Sequence, residues 1–183
     1  RCTRDFTHIL DYSLGCLSGA WGIHDVDIAQ WALDADETGP VEVEGRVAAS
    51  IGRGLCLLVG VEKGDTSDDA RALARKAAEL RVFPDDQGKM NLALDAVSGA
   101  VLAVSQFTLA GSVRKGRRPS FDGAEEPQRA AEIFDHFVGA IEALGITVET
   151  GVFQAPMDVH ILNDGPVTFV LESGRPGAGK NEG

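Results

Sequence analysis

The sequence predicts an α+β fold, in which two helices pack on a curved, mixed and barrel-like β-sheet. Three observations support this prediction. Short apolar runs of strand length outnumber the helical segments, short turns join several of these runs, and two longer segments carry apolar residues at helical spacing. Since 44% of the 183 residues are hydrophobic, one domain can bury a substantial core.

The regular strand pattern begins at Val41. Valines at positions 41 and 43 alternate with glutamates, Gly45 provides a turn and Val47 resumes the alternation, which predicts a β-hairpin. The run GLCLLVGV at residues 54–61 is short and continuously apolar, as expected for a strand that is buried on both faces. Further strands are predicted at residues 102–106, 148–153, 159–162 and 167–171.

Two amphipathic segments predict the helices. In the first, Thr66 or Ser67 can cap a helix whose apolar residues recur every three or four positions as far as Leu80. The second begins at Pro127, because proline is favoured at the first helical position, and it ends at Gly145. We therefore expect two helices packed on the sheet, one from each half of the chain.

The two ends of the chain do not follow this pattern. Residues 1–40 contain both tryptophans and the single tyrosine, and their apolar residues have no clear period. We treat them as an atypical N-terminal segment that precedes one domain at residues 41–173. Residues 174–183 have almost no apolar content, which predicts a disordered tail.

Composition restricts the partners of this chain. A net charge of −11 argues against a general affinity for nucleic acid, because lysine and arginine dominate phosphate binding, so an RNA ligand needs a local basic patch. The three cysteines have no metal-like spacing, and Cys56 lies in an apolar run, which indicates a buried thiol and a reducing, cytoplasmic compartment. We therefore expect no metal and no cofactor. No segment approaches the roughly 20 apolar residues of a membrane-spanning helix.

Two short strings carry most of the functional information. They are SQFTL at residues 105–109 and NDGPVT at 163–168, and neither is a serine elbow, a metal cluster or a phosphate-binding loop. Four further strings are GRGLCLLVGVEKGDT at 52–66, GKMNL at 88–92, KGRRPSF at 115–121 and ETG at 149–151. In order and spacing, the six strings resemble the D-aminoacyl-tRNA deacylases, which remove D-amino acids wrongly attached to tRNA. The resemblance spans roughly residues 41–173.

The resemblance implies how an active site is assembled. In this family two subunits form a homodimer with two active sites at the interface, and a Gly-Pro peptide, in cis, projects from one subunit into the partner's pocket. The corresponding peptide here is Gly165-Pro166. The residues that face it, and hence the candidate catalytic residues, are Ser105, Gln106, Phe107 and Thr108.

The chemistry implied by the resemblance needs no ionisable side chain. An aminoacyl ester on a ribose is already activated, so its hydrolysis needs a placed water and stabilisation of the tetrahedral oxyanion. Backbone N–H groups near Phe107 and Thr108 can supply that stabilisation, and the neighbouring ribose hydroxyl of the substrate can assist proton transfer. By itself, the string SQFTL is more typical of an ordinary strand end.

Selection between D and L substrates needs a rigid wall, which the resemblance assigns to the Gly165-Pro166 peptide. Such a wall excludes L side chains, but it cannot exclude glycine, which has none. The implied substrates are therefore D-aminoacyl-tRNA and glycine mischarged on a non-cognate tRNA. From the sequence alone the trans form is favoured, because only about 5 to 6% of X-Pro bonds in folded proteins are cis.

A basic loop follows SQFTL. Its four cations are candidate contacts to the tRNA acceptor end, although a run of charges is also typical of a solvated loop. These candidates are Arg114, Lys115, Arg117 and Arg118. The histidines are weaker candidates, since His160 lies on a predicted strand and His136 lies on a predicted helix. Met90 can line a pocket or pack in the core.

The first forty residues depart from the family pattern. Family members open with a strand of the type Met-Arg-x-x-x-Gln-Arg-Val, whereas here Gln30 is followed by Trp31. Either unrelated sequence replaces that strand, or Arg1 or Arg4 supplies the missing guanidinium. Two alternatives to the D-specific enzyme stay open for this reason. One is a non-catalytic RNA-binding or dimerisation module without the pocket, and the other is a relative with a trans Gly-Pro and broader substrates.

Overall fold

A computed structural model describes residues 26–31, 40–43, 45–114, 117–164 and 167–173. The disordered tail predicted at residues 174–183 lies outside the described residues, as does most of the atypical segment at residues 1–40. The strands are β1 (Val26–Trp31), β2 (Pro40–Val43), β3 (Arg46–Ser50), β4 (Gly54–Val59), β5 (Phe83–Pro84), β6 (Met90–Leu92), β7 (Ala100–Ser105), β8 (Val148–Thr150), β9 (Asp158–Val159) and β10 (Thr168–Leu171). The α-helices are α1 (Ser67–Glu79) and α2 (Pro127–Glu142), and short 3-10 helices span Asp95–Val97 and Phe107–Ala110.

The described strands form three open sheets. The largest has the order β10-β1-β4-β7-β8, the second has the order β3-β2-β9, and β5 pairs with β6. In the largest sheet β4, β7 and β8 are parallel, whereas β1 is antiparallel to both of its neighbours. The predicted α+β class with a mixed sheet and two helices is confirmed, but the described strands do not close into one barrel.

Strand β1 lies inside the largest sheet, second from its edge. It pairs with β4 from Val26 opposite Val59 to Trp31 opposite Gly54, and its other edge pairs with β10. The sheet therefore draws one strand from before residue 41. The question whether Arg1 or Arg4 supplies a guanidinium falls on residues outside the described part of the chain.

The side chains of β4 pack on both faces of the sheet, because successive residues of a strand point in opposite directions. Leu55 and Leu57 belong to the larger core, which includes the apolar faces of α1 and α2. Cys56 belongs to a smaller core, in which it is grouped with Val41 and Ala49 of the second sheet. The run at residues 54–59 is thus buried on both sides, as predicted.

Cys56 is a buried, unreactive thiol. Desolvation raises its pKa to about 12, because burial disfavours the charged thiolate. The predicted burial of this side chain is confirmed. None of the helices in the described part of the chain is long and apolar enough to span a membrane.

Both predicted helices form close to their predicted ends. Thr66 is the cap of α1: its hydroxyl accepts from the amide of Asp69 at 3.3 Å, while the Asp69 carboxylate accepts from the amide of Thr66 at 2.9 Å. These reciprocal bonds satisfy two amides that the first turn leaves free. Pro127 is the first residue of α2, and Gly145 follows its end with φ +82°.

Two of the predicted strands are shorter than expected, and one is displaced. β8 ends at Thr150 instead of residue 153, and β9 covers Asp158–Val159 instead of residues 159–162. β7 spans Ala100–Ser105 instead of residues 102–106. Beyond Thr150 the chain leaves the sheet, with a turn at residues 153–154 and a bend at residue 155. Residues 153–157 form one wall of the pocket described below.

Gly54 allows β4 and β7 to pair closely. A Cβ at this position would lie 1.9 Å from the backbone oxygen of Ala100, which no rotamer change can relieve. We predict that Gly54→Ala lowers the free energy of unfolding by about 3 kcal/mol or more, the upper range for overpacking. Chemical denaturation measures this loss.

The matched control is Gly52→Ala, where an added Cβ meets no atom within 4 Å. It is expected to change stability by about 0.5 kcal/mol at most. Equal stabilities of the two variants would contradict the assigned pairing of β4 with β7.

Candidate active site

The string SQFTL lies where β7 ends and a 3-10 helix begins. Ser105 is the last residue of β7, and Gln106 precedes the helix Phe107–Ala110. The amide of Gln106 donates to the carbonyl of Val59 at 2.8 Å, which ties the end of β7 to the end of β4. Ser105 and Gln106 are half-buried, while Phe107 and Thr108 are exposed. The four predicted residues thus form one continuous turn at the edge of the sheet.

A pocket of about 650 Å³ opens beside this turn. Its walls are mostly apolar and come from the ends of β4 and β7, the start of α2 and the turns at residues 153–157. Ser105, Gln106 and Phe107 line it, whereas Thr108 does not. The hydroxyl of Thr108 accepts a hydrogen bond from the carboxamide of Gln106, which fixes the Gln106 side chain beside the pocket.

Two backbone amides of the turn are available to a ligand. The amides of Leu109 and Gly111 donate to the carbonyls of Gln106 and Thr108, at 3.2 and 3.0 Å. The amides of Phe107 and Thr108 donate to no residue that the structure describes. Such free donors are expected at the first positions of a helix, which have no preceding helical carbonyl to bond. They are the two amides that the sequence indicates for binding an oxyanion.

Glu125 is the one ionisable side chain among the described residues that line the pocket. Its carboxylate accepts from the amide of Glu126 at 2.9 Å and from the amide of Gly64 at 3.3 Å, and these bonds lower the pKa of Glu125. Because the folded-state pKa is the lower one, these contacts stabilise the fold above the ordinary glutamate pKa. The stabilisation is lost as the pH falls through the folded-state pKa. At neutral pH the group is ionised and engaged, which makes it a poor proton acceptor.

The basic loop follows the turn at residues 105–108 in the sequence. Arg114, Arg117 and Arg118 are exposed, and Lys115 lies outside the described residues. The loop returns to the turn at Phe121, whose ring meets that of Phe107 edge-on, with centroids 5.1 Å apart. Part of the predicted tRNA-binding surface is therefore next to the candidate catalytic residues.

Other predicted positions lie away from the pocket or outside the described residues. Gly165 and Pro166 are outside them, so the geometry of their peptide stays a prediction. His160 is exposed, and its Nε2 lies 4.0 Å from a carboxylate oxygen of Glu42. Met90 fills neither of its predicted roles, since it is 56% exposed and lines no part of the pocket. Among the described residues no three His, Cys, Asp or Glu side chains are grouped as a metal site.

One wall of the pocket is not indicated by the motif strings. Residues 153–157 (FQAPM) all line the pocket, and Gln154 has φ +62°, an uncommon conformation for a residue with a side chain. Met157 packs against Gly151, where a Cβ would lie 2.5 Å from its sulfur. The string ETG marks only the approach to this wall. Strained backbone of this kind is concentrated at functional sites.

Comparisons with known proteins identify relatives for most of the chain. The sequence profile of the family described as D-Tyr-tRNA(Tyr) deacylase matches residues 36–172. The chain is 57% identical over 133 residues to the D-aminoacyl-tRNA deacylase of Geobacter sulfurreducens, a match that covers 73% of this chain and 88% of that protein. It is 56% identical over 132 residues to the protein of the same name from Pelobacter propionicus, covering 72% and 91%.

Two solved structures have a similar fold. The c-Myc DNA Unwinding Element Binding Protein is 34% identical, with a TM-score of 0.73, and the match covers 82% of this chain and 99% of that one. A probable eukaryotic D-amino acid tRNA deacylase is 16% identical, with a TM-score of 0.65, and the match covers 80% and 97%. At 16% identity the second likeness concerns the fold alone.

Proposed function

Because this chain belongs to the D-Tyr-tRNA(Tyr) deacylase family, we propose that it hydrolyses the ester bond of D-aminoacyl-tRNA and releases tRNA and the D-amino acid. The single observation that carries the proposal at the level of the site is the turn at residues 105–108. It combines the mouth of a pocket of about 650 Å³ with two backbone amides that donate to no residue in the described part of the chain. Because translation uses aminoacyl-tRNA in the cytoplasm, we infer that the protein acts there.

In the proposed reaction a water attacks the ester carbonyl, and the amides of Phe107 and Thr108 hold the oxygen that becomes negative. Fixed donors of this kind lower the barrier, because they need no reorganisation when charge develops. The neighbouring ribose hydroxyl assists the proton transfer, so no side chain of the enzyme has to titrate. Gln106 keeps the turn in place through two hydrogen bonds. Its backbone amide donates to the carbonyl of Val59, and its side-chain carboxamide donates to the hydroxyl of Thr108.

We assign the rejection of L substrates to the Gly165-Pro166 peptide of a partner subunit in a homodimer. Exposed apolar side chains on both sides of this peptide in the sequence support a partner there: Ile161 and Leu162 precede it, and Phe169 and Val170 follow it on β10. β10 is an edge strand of the largest sheet. An edge strand with exposed apolar residues is normally covered by another part of the protein or by a partner. Glycine offers this wall no side chain, so glycyl-tRNA mischarged on a non-cognate tRNA is a further proposed substrate.

Deacylation of D- and L-aminoacyl-tRNA tests the proposed function. The protein is expected to hydrolyse the D ester and to leave the L ester intact. Equal attack on both would favour a relative with broader substrates, and no attack on either would favour a non-catalytic module.

Thr108→Ala should weaken turnover by roughly tenfold at most, the effect of one lost hydrogen bond. Thr108→Tyr should block turnover by steric exclusion. Complete loss of turnover in Thr108→Ala, with binding retained, would indicate a chemical role for the hydroxyl.

The proposed dimer is tested by a charge on its apolar face. Val170→Asp is expected to convert the dimer to a monomer and to abolish deacylation, because a buried, unpaired carboxylate is costly. Light scattering measures the mass. Val47→Asp is the matched control, since Val47 is an exposed valine of another sheet, and it should change neither property. A parent protein that is monomeric and still discriminates D from L esters would contradict the proposed dimer.

A further inference from the structure

Two phenylalanine rings remain exposed next to the catalytic turn. Phe107 is 61% exposed and Phe121 is 39% exposed, and their rings meet at an interplanar angle of 65°. Neither residue belongs to either of the two hydrophobic cores. Since packing within the fold does not account for these rings, a ligand or partner for them is the natural explanation.

The surrounding loop holds Phe121 in place. Ser112 and Ser120 exchange two backbone hydrogen bonds, of 2.7 and 2.8 Å, which close the loop at its base. The hydroxyl of Ser120 donates to the carboxylate of Asp122 at 2.6 Å. The Phe121 ring lies against Gly111, where a Cβ would come within 2.9 Å of it. The ring pair is therefore built into the fold before any ligand binds.

The same loop carries several positive charges. Arg114, Arg117 and Arg118 are exposed, and none of them forms an ion pair with a residue that the structure describes. On a chain of net charge −11 this loop is a local site for anions. Aromatic rings beside arginines form the usual surface for single-stranded nucleic acid, in which bases stack and phosphates pair with cations.

We propose that Phe107 and Phe121 form a stacking platform for an unpaired base of the tRNA 3′ end, adjacent to the nucleotide that bears the ester. This inference rests on the proposed function. Phe107 both lines the pocket and belongs to the ring pair, so an ester at the turn brings the preceding nucleotides to the rings. The arginines then bind the phosphates of the same strand. Stacking tolerates any base, so this contact does not depend on the identity of the base.

The test uses an uncharged RNA hairpin of the acceptor stem, with its unpaired 3′ end or with a blunt end. Phe121→Leu is expected to weaken binding of the tailed hairpin by roughly five- to 150-fold, the range for one stacked base. It should leave the blunt hairpin unaffected. Phe121→Trp keeps an aromatic face and should bind the tailed hairpin as well as the parent does. Val113→Ala is the control, because Val113 is an exposed apolar residue of the same loop without a ring.

Two kinetic readouts separate stacking from simple packing. With D-aminoacyl-tRNA, Phe121→Leu should raise KM and leave kcat nearly unchanged. With a D-aminoacyl-adenosine, which has no further nucleotides, it should change neither constant.

Replacing the three arginines by alanine should weaken binding of both hairpins and flatten the salt dependence, since each lost phosphate contact to a single strand removes about 0.7 from the slope.

Equal affinity of Phe121→Leu and the parent for the tailed hairpin would overturn the stacking platform. A Phe121→Leu protein that becomes monomeric would also overturn it, because the rings would then belong to the contact with a second copy of the chain. The proposed function fails separately, when the parent itself does not hydrolyse D-aminoacyl-tRNA.

Discussion

The parallel pairing of β4 with β7 determines where the candidate site lies. It runs from Gly54 opposite Ala100 to Val59 opposite Ser105, and it requires a residue without Cβ at its start. The bond from the Gln106 amide to the Val59 carbonyl continues the ladder by one step. The chain turns away after this bond, and the amides of the next two residues donate to no group among the described residues. The position of the pocket and of the basic loop follows from the same pairing.

The candidate site is unusual because the groups to which we assign its chemistry are backbone amides and neutral side chains. Glu125 lines the pocket, but two backbone amides bind its carboxylate. A reaction that starts from an activated ester suits such a site, since positioning and charge stabilisation supply the acceleration. We propose that selectivity then depends on shape, through a peptide from a partner subunit.

Several features are predictable from local sequence because one local cause determines them. The capping pair of Thr66 and Asp69 begins α1, Pro127 begins α2, and a continuous apolar run gives a strand that is buried on both faces. SQFTL is also found at a strand end, as its polarity after the apolar run of β7 suggests.

Other features depend on distant contacts and therefore escape sequence reasoning. The six residues VDIAQW of β1 lack a clear period, and they become a strand because β4 and β10 pair with both of their edges. Gln154 has a left-handed backbone conformation that its residue type does not suggest. Met90 is polarisable and apolar, but the short hairpin of β5 and β6 leaves it in solvent.

We propose that the site hydrolyses its ester without a titrating side chain of its own. The most direct measurement is the single-turnover rate on D-aminoacyl-tRNA as a function of pH, for the parent and for Glu125→Gln. Glutamine keeps one acceptor oxygen, which can bind one of the two backbone amides, so this change removes the charge and retains part of the hydrogen bonding. We predict parallel pH profiles and rates that agree within a few-fold. A loss of roughly 10²- to 10⁴-fold in Glu125→Gln, the usual contribution of a general base, would contradict it.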